Sequence, residues 1–226
     1  MSTLIGMCCH NNLELTKKAC DSIDLNTRDQ SYKLVFVDDA STDGTADYLK
    51  ERYPQAAVLV NSINEGYTKS ANKILRARSG FDGVVLINND VEVNPGWLTK
   101  LINNGGDIVG CKVMTPEGQL IHESVRVSGR KTIHGNFLHC DYINGCCMYV
   151  KSSLMDVIGE FDEIFAPAYH EETDLCLRAR LEGYNVAYEP TCEVYHAVCS
   201  SYGTKPDTKQ VYDRSWGILK ARWSID

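Results

Sequence analysis

The chain has 226 residues, which fits one large α/β domain or two small ones and can bury a core without disulfides or a structural metal. It carries 23 Lys and Arg against 30 Asp and Glu, a net charge of −7 with no basic block, which argues against nucleic acid as a partner. No apolar run reaches the ~18 residues a membrane span needs.

In chain order, residues 4–9 read as a strand and 13–23 as a helix, followed by strand 32–37 and helix 42–52. Then come strand 56–60, helix 67–78, strand 83–87 and helix 97–103. Short apolar strands alternating with helices predict a mostly parallel central sheet with helices on both faces. The second half is less regular. Residues 107–114 and 142–150 read as strands, and 152–158 and 172–182 as helices. Residues 185–188 and 193–195 read as short strands near the sheet edge. The stretch 121–139 reads as irregular and 200–209 as a mobile loop. The tail, 205–226, is polar and then helix-like, with Trp216 and Trp223 to anchor it.

The ten cysteines do not form a spaced framework. Cys8-Cys9 and Cys146-Cys147 are adjacent, several cysteines lie in apolar runs, and there is no CxxC. They read as small buried hydrophobes in a reducing, cytoplasmic setting, and attachment to a membrane surface stays open.

Polar residues gather where strands end. One predicted strand stops at Asp38-Asp39 and another at Asn88-Asn89-Asp90. In an open α/β sheet, ligands bind at these carboxyl ends. Ser41, Thr42 and Asp43 read instead as turn and cap residues. The run from Asp39 to Gly44 resembles the start of a calcium loop, but its twelfth position is Lys50, not the required Glu. A second cluster is His170-Glu171-Glu172-Thr173-Asp174. It looks like HExxH but lacks the second histidine. Its three carboxylates exceed what a helix start needs. A lone histidine after a strand, such as His196, is more often structural than a ligand.

Four segments, taken in order, match a known pattern: residues 35–45 (VFVDDASTDGT), Asn64-Glu65-Gly66-Tyr67 through Asn72, residues 86–91 (LINNDV) with Pro95-Gly96-Trp97-Leu98, and residues 159–162 (GEFD) leading to 171–178 (EETDLCLR), Gly183-Tyr184, Pro190 and His196. Over nearly its whole length the chain resembles the family 2 glycosyltransferases of the GT-A fold, and rhamnosyltransferase-like members in particular. The resemblance implies a single domain, with residues 1–103 as the nucleotide-binding half and 104–226 as the acceptor-binding half and tail. It implies an inverting transfer from a UDP- or dTDP-sugar to a glycan or glycoconjugate hydroxyl, with Mn²⁺ or Mg²⁺ as cofactor.

Residue by residue, it places Cys8, Asp38 and Asp39 at the base and ribose, and Asn64 and Gly66 beside the nucleotide. Lys69 and Lys73 are cations near the phosphates. Asn88, Asn89 and Asp90 form the donor turn, with Asp90 and His196 as metal ligands. Asn88 stands where the family has its first acid. Glu172 takes the place of the catalytic base, with Glu171 as near rival. Acceptor contacts are expected from 121–139 and the tail. A sugar nucleotidyltransferase would show a Gly-rich basic loop where this chain has Cys8-Cys9-His10-Asn11-Asn12. A non-catalytic nucleotide-sugar or glycan-binding module stays open, because Asn88 and Glu172 both depart from the family pattern.

Overall fold

A computed structural model describes residues 2–28, 30–197 and 207–225. The first half follows the expected alternation: β1 (Thr3–Cys9), α1 (Leu13–Asn26), β2 (Tyr32–Asp38), α2 (Thr45–Arg52), β3 (Ala57–Val60), α3 (Tyr67–Arg76), β4 (Gly83–Asn88), β5 (Val91–Val93) and α4 (Trp97–Asn103). Helix α2 begins at Thr45 rather than at residue 42 because Asp43 holds the preceding turn. Its carboxylate accepts from the Thr45 backbone N–H at 3.2 Å and the Thr45 hydroxyl at 2.6 Å.

The second half contributes β6 (Ile108–Met114), β7 (Leu120–His122), β8 (Ser124–Ser128), β9 (Lys131–Gly135), β10 (Tyr142–Ile143), β11 (Cys147–Lys151), α5 (Ser152–Ile158), α6 (Glu171–Leu181), β12 (Val186–His196) and α7 (Thr208–Trp223).

The main sheet runs β3-β2-β1-β4-β11-β6-β12-β5, with β7 added beside β6. From β3 to β4 it is parallel. Beyond β4 it becomes mixed, because β11 runs antiparallel to both β4 and β6. Helices cover both faces, as expected. One face buries Ile23 of α1, Leu49 of α2 and Trp97 of α4. The other buries Ile74 of α3, Leu154 of α5 and Leu175 of α6.

Three expectations change. Residues 142–150 split into β10 and β11, because Asn144 Oδ1 accepts from the Cys146 N–H at 2.9 Å and turns the chain at Gly145. The two short strands after residue 184 form one strand, β12, with a register break between Glu189 and Glu193 around Pro190, which has no N–H to donate. The irregular stretch 121–139 holds the β8–β9 hairpin, which with β10 makes a small second sheet. Residues 200–206 of the expected loop lie outside the described residues, while Thr208 and Lys209 already belong to α7.

The described cysteines, Cys8 through Cys192, are all free, and all but Cys8 are buried. No described helix is long and apolar enough to cross a membrane.

Candidate active site

Asp38 and Asp39 are consecutive, so strand pleating sends them to opposite faces. Asp38 lies on the α1–α2 side, where its charge helps burial raise the Cys9 thiol. Its Oδ2 accepts from the Ser41 N–H at 3.0 Å, and the residue is fully buried. Its Oδ1 is buried with no hydrogen-bond partner among the described residues.

Asp39 faces the cleft. There, burial first and the Asp39 charge second push the Cys8 thiol far up. Asp39 Oδ1 accepts from Asn61 Nδ2 at 2.7 Å and the Glu65 N–H at 2.8 Å, and Oδ2 accepts from the Gly66 N–H at 2.8 Å. A carboxylate with three donors is a strong anchor, and this one fixes the 61–66 loop.

Lys73 belongs to the same network. Its Nζ donates to Asn61 Oδ1 at 2.6 Å and to Glu65 at 3.0 Å, so it braces the loop. Asn64 is exposed, and its Oδ1 accepts from the Gly66 N–H at 3.1 Å. Lys69 is half-buried and acts on Glu163, whose carboxyl the Asn72 amide holds below its ordinary range. Gly66 has φ 87°, and a Cβ there would lie 2.6 Å from Pro167 Cα, so only glycine fits.

The β4 end is built differently. Asn88 sits opposite Cys8 in register, and its N–H donates to the Cys146 carbonyl at 2.9 Å. Its Oδ1 is buried without a hydrogen-bond partner among the described residues. Asn89, expected at the donor, gives its amide to Thr16 Oγ1 at 2.9 Å and to the Asn11 carbonyl at 3.2 Å. It is a tie between the turn and α1.

Asp90 follows, and β5 then pairs antiparallel with the end of β12, placing His196 opposite Val91. The Ala197 N–H donates to the Asp90 carbonyl at 3.0 Å. This brings His196 Nε2 to 3.1 Å from Asp90 Oδ1. No described cluster of three or more His, Cys, Asp or Glu residues could hold a metal by itself. One carboxylate, one imidazole and a nearby unpartnered amide oxygen nevertheless suit a divalent ion that takes its remaining oxygens from a ligand's phosphates and water.

Glu171 and Glu172 open α6 behind His170, which has φ 68°. Glu171 is buried and accepts from Thr68 Oγ1 at 3.4 Å. Burial, then the Glu172 charge, holds its carboxyl well above the ordinary range. Glu172 packs against Gly145, and burial raises its carboxyl as well.

The two acids face different neighbours. Charges from Asp39 and Glu171 bear on Cys8, whereas charges from Asp90 and Glu172 bear on Cys146. Glu171 therefore lies on the Asp39 side of the cleft and Glu172 on the Asp90 side.

Helix α7 holds this pair in place. Asp174, fully buried, accepts from Arg178 at 2.8 Å, Arg222 at 2.9 Å and Trp223 Nε1 at 3.0 Å. The His170 ring lies 4.9 Å from Tyr212 and 5.1 Å from Trp216, and burial lowers its pKa to about 4. The sequence reading missed Arg222 as part of this lock. Its signal was a basic residue beside a tail tryptophan, with an acid in the 171–178 segment to receive it.

The site thus presents a raised carboxyl, a metal-suited pair and a braced loop at the carboxyl ends of parallel strands. A protein of *Sinorhizobium fredii* described only as uncharacterized protein y4gI is 26% identical over 94% of this chain; the chain spans 26% of it. The N-acetylglucosaminyl-diphospho-decaprenol L-rhamnosyltransferase of *Mycobacterium tuberculosis* is 24% identical, covering 85% of this chain and 79% of that protein. Among solved structures, GalNAc-T7 with UDP, GalNAc and Mn²⁺ superposes with a TM-score of 0.76 at 12% identity, covering 91% of this chain and 45% of that one. The sequence model of glycosyl transferase family 2 matches residues 4–157, and the chain belongs to that family.

Proposed function

We propose that this glycosyltransferase moves a hexosyl group from a UDP- or dTDP-sugar to a hydroxyl of a glycan acceptor, in one inverting displacement that depends on a divalent metal. The single observation that carries this reading is that Asp90, paired with His196, and Glu172 both bear on Cys146 at the same end of the cleft. A donor diphosphate held at the pair leaves its sugar directed toward Glu172.

Glu172 accepts the proton of the acceptor hydroxyl. The acceptor oxygen bonds to the anomeric carbon while the bond from that carbon to the β-phosphate oxygen breaks, and the nucleoside diphosphate leaves. A positioned base of this kind contributes roughly 10²–10⁴-fold. Burial raises the Glu172 carboxyl above its ordinary range, which makes it a stronger proton acceptor than an exposed carboxylate. Asp90 and His196, with the Asn88 amide oxygen beside them, would hold a Mn²⁺ or Mg²⁺ ion. Such an ion would supply Lewis-acid neutralisation of the charge on the leaving diphosphate.

At the other end of the cleft, Asp39 spends three acceptor positions on its loop. A carboxylate has about four, so one remains for a pyrimidine imide N–H. Rhamnose is the first donor sugar to try, given the mycobacterial relative. Glucose, galactose and N-acetylhexosamines follow.

A second reading, a module that binds a nucleotide sugar without turning it over, draws on Asn88, which supplies no charge where an acid would. Transfer and hydrolysis assays with Mn²⁺ and a panel of labelled UDP- and dTDP-sugars separate the two. Turnover supports the enzyme; tight donor binding without turnover over the whole panel supports the module.

A further inference from the structure

Helix α3 starts at Tyr67, and its first turn is pinned to the approach of α6. Gly66 presses on Pro167, the Thr68 N–H donates to the Pro167 carbonyl at 3.2 Å, and Thr68 Oγ1 donates to Glu171. Between these two helix starts sits the Tyr67 phenol, its ring 6.5 Å from that of Phe161. Its hydroxyl is buried and has no hydrogen-bond partner among the described residues. Burial, followed by the charges of Cys8, Glu171, Glu172 and Cys146, keeps the phenol protonated far beyond its ordinary range. The group is therefore a hydrogen-bond donor at every working pH, and it lies among the residues that frame the cleft.

A buried donor left unsatisfied is costly, and phenylalanine would fill the same space without that cost. The retained hydroxyl calls for a ligand acceptor. We propose that the Tyr67 hydroxyl binds the transferred sugar, donating a hydrogen bond to one of its hydroxyl oxygens. The assignment rests on the donor site proposed above and extends it to the sugar moiety. Position distinguishes the sugar from the other parts of the donor. Tyr67 lies between Glu171, on the Asp39 side, and Glu172 with Cys146, on the Asp90 side, where a sugar joined to a metal-bound diphosphate must sit. Two carboxylates beside a phenol also suit a polyhydroxylated ring: the carboxylates accept from its hydroxyls while the phenol donates.

Tyr67→Phe tests the assignment. Titration calorimetry with Mn²⁺ compares UDP alone with the UDP- or dTDP-sugar that most raises the melting temperature of the wild-type chain. The expected result is a roughly ten- to hundredfold loss in sugar-nucleotide affinity or in kcat/KM, with UDP affinity within about twofold. The ligand-free melting temperature should stay level or rise, since the variant removes an unsatisfied group. Wild-type behaviour toward the sugar nucleotide overturns the proposal, as does an equal loss for UDP, which marks a displaced loop instead of a lost sugar contact. Should the wild-type chain bind these donors without turnover, the enzyme reading fails while the binding comparison still decides the role of Tyr67.

Discussion

The two acidic strand ends look alike as text, and the fold uses them differently. After β2, Asp39 is mostly engaged from within: one amide and two backbone N–H groups donate to its carboxylate. After β4, Asn88 Oδ1 has no hydrogen-bond partner among the described residues, and Asp90 Oδ1 meets His196 Nε2 at 3.1 Å. The first turn uses its charge to build a loop. The second holds its polar atoms at the cleft, where a ligand can complete them. A carboxylate at a strand end is thus no guide to its task until its donors are counted.

That contrast predicts opposite behaviour on mutation. Asp90→Ala should remove the metal-dependent part of donor binding, a loss of roughly a hundredfold or more. The melting temperature of the ligand-free chain, measured alongside, separates this loss from any cost to the fold. Calorimetry with and without chelator checks this, and affinity that is unchanged and chelator-insensitive in both proteins would refute the metal assignment. Asp39→Ala should do the reverse. It strands three donors, at a cost of about 2–4 kcal/mol to the fold whether or not donor is present, and urea denaturation of the ligand-free chain reads it directly.

The smallest effect concerns the α7 lock. Burial lowers His170 to about 4, so in the window between that value and its ordinary 6.5 the unfolded chain binds the extra proton and the folded chain does not. Stability then rises with pH across this window and is lost as pH falls through it. His170→Phe should flatten that part of a stability–pH profile by about 1–3 kcal/mol. A profile that keeps its full slope would show that other groups carry it.

Much of the first half was legible. Strands β1 and β4 are largely apolar runs because burial on both faces leaves an unbroken signal, and α4 and α5 have the predicted bounds. The β8–β9 hairpin was not legible: its Val, Ser, Arg and Lys mixture belongs to a small, half-exposed sheet with weak periodicity. Within the site, the sequence placed Asp90 and His196 together only through the family resemblance; their contact spans more than a hundred residues and depends on β5, a three-residue strand with little signal. It gave no sign of the internal bonds of Asp38, Asn89 and Lys73, because Ser41, Thr16 and Asn61 become their neighbours only when the chain folds. Tyr67 was read only as part of the matched 64–72 segment, with no role, since a tyrosine opening a helix reads as packing.

The most direct test of the account compares Glu172→Gln with Glu171→Gln in steady-state transfer, using the sugar nucleotide and acceptor that the wild-type chain turns over. The account predicts that Glu172→Gln lowers kcat by roughly 10²–10⁴-fold with donor affinity preserved, and that Glu171→Gln retains the larger share of turnover. Full turnover by Glu172→Gln, or a loss confined to Glu171→Gln, would contradict it.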